Sequence, residues 1–321
     1  MSFFALTLGA IRVFLRKVFR LSNFTDTYVT YKDQDANNFI YDTLKNASNT
    51  KKGLMIAKFG TYELDTLLFF LENNHSLSAI KDEMTGNRRI FYNEIQKHFP
   101  NMGFFPDNIE NAEKFSKMLY EDIKQINILC SYIKSEKYLS KELKDIKKVN
   151  LDGFLAPYYW TTPWTKALEN KDVLIISPFV TSMKKQYEKR ELLFLDKNVL
   201  PKFKSIQFIK AVQSIAGNKP ENYETWFDAL EYMKQQINSK NFDIALIGCG
   251  AYGLPLAAYV KRLGKTGIHM AGWLQMLFGI YGNRWIYDEP KAGSFINEHW
   301  IRPSEDERPN SFNSIENGCY W

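Results

Sequence analysis

From Asp172 to about residue 280 the chain repeats one unit: a short apolar run closed by glycine or proline, then a segment with helical spacing. The runs are "DVLIISPF", "SIQFIKAV", "DIALIGCG" and "TGIHMAG", and helices are predicted over 181–195, 223–239, 252–263 and 272–280. Apolar runs this short, bounded by turn residues, read as buried strands. Strands alternating with helices are joined by right-handed crossovers. The predicted fold class is therefore α/β, a Rossmann-like mostly parallel sheet with helices on both faces. "GLMIAKFG" (53–60) adds an earlier strand, after which Leu64, Leu67, Leu68 and Leu71 take up the helical period. Residues 110–134 keep that period through Ala112, Phe115, Leu119, Ile123, Ile126, Cys130 and Ile133. Their flanks carry no strand signal, which predicts a helical insertion over about 75–152. The predicted organisation is a leader over 1–22, a polar tether over 23–50 with one helix near Ala36 to Leu44, and an α/β domain over 51–321. The tail beyond Pro290 is expected to pack back across that domain.

The run "DIALIGCGAYG" places Gly248, Gly250 and Gly253 in GxGxxG spacing between a strand and a helix. In that context the free N–H groups at the helix start, around Ala251 and Tyr252, favour a phosphate, and the missing side chains let it approach. A dinucleotide enzyme also needs an acid after the next strand to hold the ribose hydroxyls, and here Gly272 and Trp273 stand there. No NAD cofactor is expected. The plainer alternative is a tight turn that binds nothing.

A second candidate, "AKFGTYELD", follows the first predicted strand, where parallel sheets bind ligands. It offers Lys58, Gly60, Thr61 and Glu63. Glu63 can hold a metal, accept hydrogen bonds from a sugar, or take a proton from an attacking hydroxyl. Alternatively it only stabilises a helix start; Asp65 reads as a solvated helix residue. A third candidate, "SPFVTSMKKQYEKR", contributes Ser177, Gln186 and Arg190, the last as a cation for a diphosphate. Its Lys/Glu spacing also fits a solvated face. His269, Arg284, Glu298 and His299 complete the set as acceptor or sugar contacts, with His299 beside Glu298 either an acid–base pair or a structural hydrogen-bonder. There is no zinc-ligand spacing, no GxSxG and no P-loop.

The net charge of +6 is uneven, because Arg12, Arg16, Lys17 and Arg20 lie in the first twenty residues without an acid. No other comparable basic run occurs, so a nucleic-acid partner is not expected. The leader "SFFALTLGAIRVFLRKVFR" puts Arg12, Arg16 and Arg20 on one helical face. Its uncharged run ends at Ile11, short of the roughly 20 residues that span a bilayer. An in-plane amphipathic helix on an anionic cytoplasmic leaflet is predicted, with packing against the chain's own domain or a second subunit as the alternative. Cys130, Cys249 and Cys319 make no CxxC pair, which suits a reducing compartment.

"IAKFGTYEL", "NMGFFP", "APYYWTTPWTKALENKDVLIISPF", "DIALIGCGAYGLPLAAYVKRLGKTGIHMAG", "NEHWIRP" and "ENGCYW" together resemble a family of bacterial proteins encoded with capsule and O-antigen genes. These look like glycosyltransferases of the GT-D type, and the resemblance covers roughly residues 50–321. It implies transfer of a sugar from a nucleotide-sugar donor to a lipid-linked glycan acceptor, at the inner face of the cell membrane. The family's D-x-E motif falls on Thr61 and Glu63, so only the second acid is retained. The Mg²⁺ or Mn²⁺ implied by the motif would then rest on Glu63, a hydroxyl being a poor ligand for a hard cation. By this resemblance Glu63 is the catalytic candidate, with Gly60, Thr61, Gly248, Gly250, Ala251, Tyr252, Gly253 and Arg190 for the diphosphate. The rival expectations are a nucleotide-sugar-related NAD(P) oxidoreductase and a non-catalytic nucleotide-sugar-binding membrane partner.

Overall fold

A computed structural model describes residues 28–47, 52–73, 93, 95–315 and 317–321. The predicted leader helix (1–22) and residues 74–92 lie outside the described residues. Seven parallel strands form one sheet: β1 (Leu54–Lys58), β2 (Ile128–Cys130), β3 (Lys147–Val149), β4 (Asp172–Ser177), β5 (Ser205–Lys210), β6 (Ile244–Ile247) and β7 (Thr266–His269). Their order across the sheet is β3-β2-β1-β7-β6-β4-β5. The fold is thus a Rossmann-like α/β sheet, as the alternation predicted.

Side chains of successive strand residues go to opposite faces, and each face has its own core. Met55, Ala57, Leu174, Ile176, Ala245 and Ile247 join one apolar cluster. Leu54, Ile56, Val173, Ile175, Ile244 and Leu246 join the other. The first cluster takes in α2 (Thr61–Asn73), α3 (Ile109–Ile123), α5 (Trp226–Asn238) and α6 (Gly253–Arg262). The second takes in α1 (Asp33–Ala47) and α4 (Val180–Glu188), with Phe154, Trp164 and Leu274. Connections that move toward β3 along the sheet therefore run over the first face, and those that move toward β5 run over the second. All six crossovers share one hand, as right-twisted strands require.

Two sequence expectations are corrected. The tether is not a spacer from Asp33 onward: α1 buries Ala36, Asn37, Ile40 and Leu44 against the second face. Asn37 accepts from the Trp164 backbone N–H (2.8 Å), so the polar composition conceals a docked helix. The predicted helical insertion contains β2 and β3, two strands of the main sheet. Helix α3 stops at Ile123, and Ile128-Leu129-Cys130 pairs with β1 and β3. Three residues buried on both faces show no alternation, and their spacing continues that of α3.

Candidate active-site cleft

In order along the centre of the sheet, the chain leaves β1 toward the first face, β7 toward the second, β6 toward the first and β4 toward the second. Neighbouring loops diverge, which opens a crevice along the carboxyl edge, where α/β sheets place ligands. A cleft of about 330 Å³ occupies it, lined from β1 by Lys58, Gly60, Thr61 and Glu63, from β6 by Gly248 to Tyr252, and from β7 by His269, Ala271 and Gly272. The volume suits a small organic ligand. Two segments more than 180 residues apart in sequence, read separately as candidates, thus share one cavity.

The three glycines of the loop answer three different demands. A Cβ on Gly248 would press on the Ala271 carbonyl, 2.5 Å away, and on Leu274. Gly250 has φ +57° and nothing within 4 Å of where its side chain would start, so its backbone faces open space. Gly253, the first residue of α6, is packed against the His269 imidazole, which occupies the room a Cβ would need. The backbone amides of Gly250 and Ala251 make no backbone hydrogen bond. Together with the start of α6 they form an anion-attracting concavity. Tyr252, which follows, is pinned behind it: its ring stacks on Trp226 (4.5 Å between centroids, 4° apart), and its hydroxyl meets Ser214 Oγ at 3.0 Å.

Glu63 lies in the first turn of α2, half-buried on the cleft wall, with its carboxylate curled back over Gly60. Burial raises its pKa above the usual carboxylate value; a hydrogen bond from its own amide and the nearby Lys58 charge oppose this. The helix-start role and the cleft-facing role are therefore held by one side chain. Lys58 ends β1 and lies over the Tyr132 ring (4.9 Å), whose hydroxyl donates to the Phe59 carbonyl at 2.9 Å. His269 is buried at the cleft floor. Burial first, and the Lys58 charge second, press its pKa down to about 3, so the imidazole is neutral, and Nδ1 has no hydrogen-bond partner.

The cleft also receives Arg284, alongside the sequence-predicted Gly60, Thr61, Glu63, Gly248, Gly250, Ala251, Tyr252 and His269. From the third sequence candidate only Pro178 and Phe179 reach it, and Ser177, Gln186 and Arg190 do not. Ser177 is buried and accepts from the Phe179 amide at 3.1 Å. Gln186 is buried and donates to the Gly279 and His299 carbonyls, both at 3.0 Å. Arg190 pairs with Glu191 at 2.8 Å and lines no part of the cleft. The start of α4, within the segment read as the third candidate, is filled by Glu307. That buried carboxylate accepts from the Thr181 amide (2.6 Å), the Ser182 amide (3.2 Å) and the Ser182 hydroxyl. The Glu298 and His299 side chains meet each other at 3.6 Å, and neither residue lines the cleft. Asp65 is half-buried, and burial raises its pKa while His98 opposes this, so it is not a plain solvated residue.

Tyr132, Gln213, Ser214, Tyr320 and Trp321 line the cleft without having been singled out. Gln213 and Ser214 carried a usable signal, since they directly follow the predicted strand "SIQFIKAV". Tyr132 follows β2, a strand the sequence did not announce. Among the described residues the cleft lining does not make a hard-cation cage: Glu63 is its one side-chain carboxylate, engaged by its own helix and close to an ammonium. No group of three His, Cys, Asp or Glu suited to a metal occurs among the described residues. Comparison with protein-family models, with curated proteins and with solved structures gave no match to this chain.

Proposed function

We propose that the chain is a glycosyltransferase that moves a sugar from a nucleotide donor to a glycan acceptor carried on a membrane lipid. The observation that carries this reading is the meeting, in one cleft, of an unfilled glycine-loop helix start with the Glu63 carboxylate. A nucleoside diphosphate leaving group gathers negative charge as the sugar departs. The Gly250 and Ala251 amides, the start of α6, Lys58 and Arg284 form a preorganised positive field for that charge. Glu63 sits within the same cavity, its proton affinity raised by burial, suited to orient the sugar or to accept a proton from the attacking hydroxyl. No step is routed through a metal, because the donor set does not fit one. The resemblance to surface-polysaccharide enzymes supports the substrate class, and the basic amphipathic leader supports work beside a cytoplasmic leaflet. Among the described residues no helix is long and apolar enough to cross a membrane.

The test uses purified full-length protein with UDP-, GDP-, dTDP- and CMP-linked sugars, with and without Mn²⁺, following ligand-dependent thermal shift and nucleotide release. One donor class should raise the melting temperature and be turned over, and Glu63→Gln should lower turnover at least 100-fold, in keeping with loss of a general base. Tight NADH or NADPH binding with no nucleotide-sugar response would replace this reading by the oxidoreductase. Donor binding with no turnover under any acceptor condition would make the protein a binding partner instead.

A further inference from the structure

Among the described residues, Lys58 and Arg284 are cationic side chains that line the cleft. We propose that Arg284 is the guanidinium that grips the diphosphate of the ligand, and that the carboxyl-terminal segment 317–321, through Tyr320, is the element that positions it. This rests on the nucleotide-donor reading above.

Arg284 is the second residue of the short helix Asn283–Tyr287, and its backbone N–H donates to the Cys319 carbonyl at 3.0 Å. Its guanidinium carbon lies 4.7 Å from the centroid of the Tyr320 ring. A guanidinium carries its N–H groups in one plane, the fork that contacts phosphate oxygens bidentately. An ammonium offers no such plane. Glu289, which feels the Arg284 charge, does not line the cleft, and Arg284 Nη2 donates to Cys319 Sγ at 3.5 Å.

The segment under Arg284 is held from several sides. Gln275 Nε2 donates to the Tyr320 carbonyl (3.1 Å), and the Asn283 amide (3.3 Å) and Arg302 Nη1 (2.5 Å) donate to the Trp321 carbonyl. The buried Trp321 indole donates to the Glu307 carbonyl at 3.4 Å. Two glycines make the docking possible. A Cβ on Gly272 would overlap the Tyr320 ring, and one on Gly282 would meet the backbone of Cys319 to Trp321. Gly272 belongs to the turn after β7 and lines the same cleft, so one small residue admits the ring that carries the guanidinium. Arg190, the cation favoured by sequence alone, has no comparable placement.

The experiment is calorimetric titration of the full chain with UDP, GDP, dTDP and inorganic pyrophosphate, repeated on Arg284→Ala, Arg284→Lys, Tyr320→Leu and Tyr320→Phe, with the matching nucleoside as reference. Arg284→Ala should weaken diphosphate binding about 10- to 100-fold, the range for a charge-assisted contact, and leave the nucleoside unaffected. Arg284→Lys should recover only part of the loss. Tyr320→Leu should weaken diphosphates but not the nucleoside, and Tyr320→Phe, which keeps the ring, should restore binding. Wild-type diphosphate affinity in Arg284→Ala or Arg284→Lys overturns this assignment while leaving the donor reading intact. Equal loss of nucleoside and diphosphate in Tyr320→Leu overturns the positioning role. A wild-type chain that binds none of the diphosphates removes the donor reading and this inference together.

Discussion

Two strand-to-helix turns lie side by side at the carboxyl edge of the sheet, one after β4 and one after β6, and they end differently. At the first, Glu307 reaches from a distant loop and accepts from the opening amides of α4. At the second, the amides before α6 meet an open cleft. Both helices present positive ends, but the chain's own carboxylate has neutralised one of them. A helix start is thus a candidate anion site only when the rest of the fold leaves it vacant.

The comparison can be broken most forcefully from the closed side. Glu307→Ala strips a buried acceptor from the Thr181 and Ser182 amides and the Ser182 hydroxyl. It should cost about 3 kcal/mol in urea unfolding, since buried donors lose their partners. A cost under about 1 kcal/mol would mean that the plug is incidental. On the open side, Gly253→Ala drives a methyl into the His269 ring. It should destabilise by about 2 kcal/mol, as overpacking does, read by the same unfolding measurement. Gly250→Ala sharpens the contrast: with φ +57° and no neighbour to strike, it should cost only about 1 kcal/mol. It should nonetheless weaken diphosphate binding more than stability by placing a methyl at the approach to the cleft.

The pH-dependent effects carry a sign. Burial holds the Glu63 pKa above its ordinary value of 4.5, so the folded state binds that proton more tightly than the unfolded chain. Ionised Glu63 therefore subtracts stability, beginning as pH rises through 4.5 and fully once the pH exceeds its folded pKa. Glu63→Gln should melt higher than the parent at pH 8, an advantage that vanishes near pH 4, even as it loses activity. His269 works in the opposite pH direction. Its folded pKa is about 3 against an ordinary 6.5, so stability drains away as pH falls from 6.5 toward 3. His269→Gln should flatten that acid limb in melting curves.

Local chemistry explains what was legible. β1, β4, β5, β6 and β7 are apolar runs long enough to stand apart from their neighbours, and the glycine spacing identified the turn after β6. β2 and β3 have three residues each and draw their stability from pairing with neighbours, so nothing in their own sequence separates them from helix or loop. The helix near Ala36 to Leu44 was legible, but its docking was not, because the buried face of α1 is narrow and includes Asn37, whose partner Trp164 lies 127 residues away. The same distance effect misdirected the third site candidate. Nothing between Ser177 and Arg190 announces that Glu307, more than 120 residues on, has taken the place of an anion. Arg284 was readable as a cleft residue only in outline, since the ring that supports it comes from the last residues of the chain.

The most direct measurement is a crystal structure of the protein soaked with the nucleoside diphosphate it binds best. The account predicts diphosphate density against the Gly250 and Ala251 amides at the start of α6, within reach of Arg284, with Glu307 still seated on α4. Density at the α4 start with Glu307 displaced, or a glycine loop that stays empty while nucleotide binds elsewhere, would contradict it.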